Sequence, residues 1–131
     1  MITLSFLKLL ENNGFGMIDE DLFFQKLTLD KKGLYISDIG DPIVRGQRRT
    51  QSFELYARGD NDVWGYQTLT EILDFLRNSY SEVCELPAVP PITTTEYSNV
   101  TILPTGGITN VGLDDNNRII YSIQGQIIYK P

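Results

Sequence analysis

The stretch from Arg49 to Arg77, RTQSFELYARGDNDVWGYQTLTEILDFLR, limits the possible folds more than any other part of the chain. It opens with strand-like alternation: Phe53, Leu55 and Ala57 face one way, and Ser52, Glu54, Tyr56 and Arg58 face the other. Gly59 then breaks the strand, at a position suited to a left-handed turn. Asp60 or Asp62 is placed to accept the free N–H groups of a helix start, and the helix is predicted to run to about Tyr80. A strand, one tight turn and an amphipathic helix laid back on the sheet form a folding nucleus. Nothing in the stretch is a catalytic motif.

Composition narrows the function classes. A chain of 131 residues, 41% hydrophobic and 21% charged, reads as one ordinary globular domain over residues 1–131. Its single cysteine, Cys84, rules out an internal disulfide and a cysteine-based zinc site. The absence of histidine removes the commonest general base and metal ligand together, which argues against an enzyme. The net charge of −6 argues against a grip on nucleic acid, which relies on clustered Lys and Arg. The opening MITLSFLKLLENNG is too short and polar for a signal peptide or membrane span, so synthesis in a cytoplasm is expected.

In chain order, Ile2 to Asn12 reads as a lid helix with one buried face: Ile2, Phe6, Leu7, Leu9 and Leu10 inside, and Ser5, Lys8 and Asn12 outside. Gly14 is placed to end it. Leu22 to Leu29 and Leu34 to Asp38 read as two strands joined as a hairpin through Asp30-Lys31-Lys32-Gly33. On the later helix, Leu69, Ile72, Leu73, Leu76 and Tyr80 form the core face, opposite Gln67, Glu71, Asp74 and Asn78. Glu85 to Pro91 reads as a stiff proline-rich connector. Beyond it, Tyr97 to Leu103, Ile108 to Leu113 and Arg118 to Lys130 are strands, and Gly125 marks a bulge in the last. The expected architecture is α+β: one mixed, mostly antiparallel sheet with an N-terminal helix and a central amphipathic helix packed on it.

Two features point to contacts with partners. Ile39 to Arg49, IGDPIVRGQRR, has no period and is punctuated by Gly40, Pro42 and Gly46, so it reads as a loop. Asp41, Arg45, Arg48 and Arg49 are its candidate contact residues; the loop is either a solvated hairpin tip or a segment that orders on an acidic partner. Trp64 and Phe75 fall between the core and wet faces of the helix. Either the N-terminal helix covers them or they anchor a subunit contact. Arg58-Gly59-Asp60 matches an integrin-binding tripeptide, but a strand-to-helix turn favours the same residues. Asp114-Asp115-Asn116-Asn117 lacks the terminal glutamate and spacing of a calcium loop and reads as a hairpin turn. No catalytic, cofactor-binding or metal-ligating set emerges, and the residues describe a domain that binds rather than catalyses.

The order of elements resembles the tail terminator (tail completion, or head–tail joining) proteins of long-tailed bacteriophages. The resemblance rests on an N-terminal helix ending in Asn13-Gly14-Phe15-Gly16, the Ile39-Gly40-Asp41-Pro42 segment, and a strand ending in Tyr56-Ala57-Arg58-Gly59. A helix finishing in Ile72-Leu73-Asp74-Phe75-Leu76 and a long C-terminal strand complete it, so the similarity spans nearly the whole chain. A second glycine is expected near Gly40-Asp41-Pro42 and a small residue at Trp64, and there the chain departs from the pattern. The resemblance implies a structural virion protein at the neck of the particle, a homo-hexameric ring that caps the tail tube and stops its polymerisation. Implied partners are other copies of the chain, the major tail tube protein and the head connector or stopper protein, with genomic DNA passing through the lumen unbound. No cofactor is implied. A head–tail connector, tail-tube or baseplate component, or a small carboxylate-dependent enzyme using Tyr56 or Arg58, remains an alternative.

Overall fold

The computed structural model describes residues 2–24, 32–59, 62–79, 84–89, 97–114 and 117–130. Helix α1 (Ile2–Asn12) is followed by strands β1 (Leu22–Phe24), β2 (Gly33–Arg45) and β3 (Arg48–Arg58), then helix α2 (Asp62–Ser79). Strands β4 (Cys84–Leu86), β5 (Tyr97–Pro104), β6 (Thr109–Leu113) and β7 (Ile119–Tyr129) complete the chain. The fold is α+β, with a seven-stranded sheet in the order β1-β2-β3-β7-β5-β4 and β6 paired to β7 beside β5. All pairings are antiparallel except β1 with β2.

The centre of the sheet is the β3–β7 ladder, in register from Arg49 opposite Tyr129 to Arg58 opposite Ile120. Period-two alternation sends Phe53, Leu55 and Ala57 to the face shared by Ile123 and Ile127, all of them buried. Both helices pack on that face, α1 over β1 to β4 and α2 over β3, β5 and β7. The ring of Phe6 in α1 lies 5.0 Å from that of Phe53, joining the N-terminal helix to the central strand. Leu69, Ile72, Leu73 and Leu76 of α2 are buried as the helical period requires, while Gln67, Glu71, Asp74 and Asn78 are exposed. Tyr80 lies outside the described residues.

Several expectations change. Over the described residues the first strand is Leu22–Phe24, and it pairs with β2 in parallel, Leu22 opposite Leu34, so the two are not a hairpin. A parallel neighbour needs a crossover rather than a tight turn, and residues 25–31 lie outside the described ones. Gly33 is required by packing, since a Cβ there would sit 2.5 Å from the Asp21 carbonyl oxygen. Helix α1 is more than a one-faced lid. Ser5, expected on the wet side, is fully buried, as is Thr3. Glu85 and Leu86 belong to strand β4 rather than to a connector.

Two glycines also act otherwise than expected. The backbone of Gly59 does not take a positive φ. Its missing Cβ instead makes room for the Trp64 ring, which a Cβ would approach to 2.7 Å. Gly125 marks no bulge, because it sits in register between Phe53 and Pro104. A Cβ on Gly125 would lie 2.8 Å from the Phe53 ring and 2.9 Å from the Leu103 carbonyl oxygen. The side chain is absent so that Phe53 can lie flat across β7. Gly125→Ala should therefore lower stability by about 1–3 kcal/mol in urea unfolding, the usual cost of overpacking. An unchanged midpoint would show that Phe53 yields without strain.

Candidate assembly surface

The segment expected as a loop, Ile39 to Arg49, is a β-hairpin arm, the outer half of β2 turning back into β3. The register passes from Ile39 opposite Ser52 to Ile43 opposite Thr50, so β2 carries extra residues over Gly40-Asp41-Pro42 as a bulge. Gly40 takes φ 69°, which glycine adopts without a Cβ penalty, and Pro42 needs no ladder partner because it has no N–H. Gln51, only 4% exposed, holds the bulge in place, its Nε2 donating to the Gly40 carbonyl at 3.1 Å and the Ser52 carbonyl at 2.9 Å. At the tip, Gly46 and Gln47 connect Arg45 to its partner Arg48; a positive φ of 61° at Gly46 alone matches a type II′ turn. Glycine and proline suggested a loop, but here they shape a bulge and a turn.

Every residue from Asp38 to Arg48 is exposed, including Ile39, Ile43 and Val44. Cross-strand partners share a face. Ile43, Thr50, Ile128 and Thr101 therefore form one row on the face opposite the helices. Arg45 and Arg48 continue that face beyond the row, whereas Arg49 turns to the helix side opposite Tyr129. Three surface hollows gather here. One is lined by Ile43, Arg45, Thr50, Gln126 and Ile128, a second by Arg48, Thr101, Ile128 and Lys130 among others, and a third by Gly46, Gln47, Arg49 and Lys130. Asp41 lies exposed within the bulge. Lys130 and Ile128 join this surface from the last strand, where a spacing of two residues puts them on one face.

Trp64 and Phe75 are both half-buried against the core. Trp64 rests on Gly59, with Lys32 Nζ 5.8 Å from its ring centroid. Phe75 packs on Phe15, just beyond α1, with the ring centroids 5.6 Å apart. The exposed apolar residues at the start of α2 are Val63 and Tyr66.

Two polar clusters lie away from the arm. On the face opposite the helices, Glu54 accepts hydrogen bonds from the Tyr56 hydroxyl and from Ser122 Oγ at 2.9 Å, and Tyr56 stacks on Tyr35 at 4.5 Å. Burial and the Glu54 carboxylate together push the Tyr56 hydroxyl well above its ordinary range. These groups converge on an open sheet, and none of the three hollows is lined by them. Arg58, 7% exposed, pairs with Asp114 at 3.4 Å, and Arg118 Nε reaches the same carboxylate at 2.9 Å. Asp114 thus spends its charge closing the β6–β7 turn, in which Asn117 takes φ 58°. Asp115 and Asn116 of the weighed calcium loop, and Asp60 of the tripeptide, lie outside the described residues. Among the described residues no helix is long and apolar enough to cross a membrane.

No family model matches this chain, and no curated protein matches it.

Two outcomes follow from this geometry. Gln51→Ala should cost about 1–2 kcal/mol and speed amide exchange across Gly40 to Val44, since the bulge loses its buried donor. Equal exchange in the two proteins would mean the bulge holds without it. A tyrosine whose folded pKa is raised contributes stability that is complete below its unfolded pKa, near 10.0, and is lost as pH rises beyond it. Alkaline unfolding followed by circular dichroism should therefore be shallower for Tyr56→Phe than for the parent chain.

Proposed function

We propose that this chain is a ring-forming structural protein of the tail-terminator type. The single observation that carries the reading is the β2–β3 arm. It presents Ile39, Ile43 and Val44 to solvent together with Arg45 and Arg48. Exposed apolar side chains set on an ordered arm mark an assembly contact more than a solvated loop. The element order of the resemblance supplies the particular assembly: a ring, commonly of six copies, capping the tail tube and meeting the head connector at the virion neck. The acidic composition suits a channel through which DNA slides, because a negative wall repels phosphate. In this reading the protein is not an enzyme. The Glu54, Tyr56 and Ser122 cluster braces the sheet face rather than a reaction.

The test is negative-stain microscopy with light scattering over a concentration series, with and without isolated tail tubes. Closed rings with a channel of about 20 Å or more, enough for duplex DNA, are expected on their own or on tube ends. Replacing Ile43 and Val44 together with lysine should abolish the rings while leaving the circular dichroism spectrum unchanged. Uncapped tubes and monomers throughout would overturn the reading.

A further inference from the structure

The arm is one charged end of the sheet, and the opposite end carries a second ordered feature, the turn from Met17 to Asp21. There the Met17 carbonyl accepts the N–H groups of Glu20 at 3.1 Å, Asp21 at 2.8 Å and Leu22 at 3.1 Å. Met17 N–H donates to the Asp21 carboxylate at 3.2 Å, and Ile18 N–H donates to the Glu11 carboxylate at 2.6 Å. Asp19 takes φ 72°, a costly conformation for a residue with a side chain and one that persists where the surroundings impose it. The result is a hydrogen-bonded knob. Met17 is 56% exposed at its surface, and Asp19 and Glu20 are exposed beside it.

The arm offers the complementary shape and charge. Ile43, Arg45 and Ile128 line its hollow, and Arg48 and Lys130 line the neighbouring one, which shares Ile128. Arg45, Arg48 and Lys130 are three of the eleven Lys and Arg residues of a chain with net charge −6. Beyond Ile36, where β1 ends among the described residues, the outer edge of β2 is a poor template for strand addition, since the bulge and Pro42 interrupt its ladder. What the arm can offer a partner is therefore its side-chain surface. Asp21 is tied to the start of β2 by a 2.8 Å bond from Leu34 N–H to its carbonyl, whereas the hollow lies near the far end of that strand. At about 3.3 Å per residue the two features are roughly 30 Å apart, so a copy cannot satisfy itself.

We propose that the Met17–Asp21 knob of one copy seats in the arm hollow of the next, with Met17 against Ile43 and Ile128 and with Asp19 and Glu20 facing Arg45 and Arg48. The proposal rests on the ring reading and names its subunit contact. Contacts of this kind are heterologous, joining two different surfaces, and they close into rings when the rotation between copies allows. Methionine is suited to such a hollow because its unbranched side chain adapts to irregular apolar walls.

A charge-swap experiment tests it by sedimentation velocity. Arg45→Glu with Arg48→Glu, and separately Asp19→Lys with Glu20→Lys, should each weaken self-association at least about tenfold, because like charges then meet at the contact. An equimolar mixture of the two variants should recover assembly, since each arm again faces a knob of opposite charge. If the parent chain assembles and either variant assembles equally well, this contact is wrong while the ring reading stands. Failure of the mixture to recover overturns the contact too. A parent chain that stays monomeric at every concentration, with tail tubes present as well, overturns both. Duplex DNA retained by the parent and released by the arm variant would instead assign the arm to nucleic acid and overturn the proposal.

Discussion

The structure depends first on the pairing of β3 with β7. Strands more than seventy residues apart in places meet along almost their whole length, Glu54 opposite Gln124 and Phe53 opposite Gly125. Closing so long a loop is entropically costly and has to be offset by burial. The offset comes at one point in particular. Phe53 fills the space that Gly125 leaves empty, and the ring of Phe6 in α1 lies 5.0 Å from its own. One aromatic side chain therefore fixes the sheet register and docks the N-terminal helix. A one-residue slip would turn Ile123 and Ile127 to the solvent face, so register and core are specified together.

From that ladder follows the division of the molecule into a covered face and an open one. Both helices lie on the Phe53 side, and among the described residues no second layer covers Ser52, Glu54, Tyr56 and their partners on β7. The same ladder explains how a long hairpin can project in order. β7 continues beside β3 as far as Tyr129 opposite Arg49, and β3 in turn pairs the outer part of β2 from Ile43 to Arg45, so only Arg48 and the Gly46-Gln47 tip lie beyond the β7 ladder. The bulge bends this arm, and Gln51 ties the bend to the buried layer. An arm fixed in this way loses little conformational entropy when it meets a partner, which is what separates it from a flexible loop of the same composition.

Much of this was legible in the sequence, and the failures have common causes. Alternation in Phe53–Ala57 and Ile119–Tyr129, and the wheel of α2, identified the central strands, the helix and its buried face, because one side of each meets the core. Glycine and proline mislead where they serve packing or a bulge. Gly59 yields to Trp64, Gly125 to Phe53, and Gly40-Asp41-Pro42 bends a strand instead of ending it. Spacing alone does not distinguish these uses, since they depend on what approaches from another part of the chain. Ser5 was misplaced for a related reason: helical period assigns a wet side only where the helix has one, and α1 is enclosed through its first turns. Arg45 and Arg48 stand out in the sequence as a basic cluster, but Lys130 joins them through strand pairing that a local window cannot contain.

Under the proposed ring, the arrangement also answers a problem that self-assembling sheet proteins face. A long, flat, apolar edge polymerises indiscriminately, whereas a fully blunted one cannot assemble at all. Here the backbone edge of the arm is interrupted by Pro42 and the bulge, while the adjacent surface keeps Ile43 and its basic neighbours available. For the proposed ring, this transfers recognition from ladder hydrogen bonds, which any strand can supply, to side chains, which only a matching surface can. Surface ion pairs of this kind are individually weak and screened by salt. A single contact of this size would be transient, and closure of the ring, in which each copy is held on two sides, would provide the persistence that one contact lacks. A template such as a tube end would raise the effective concentration of neighbours in the same way. Assembly would then be confined to the place where the ring is needed.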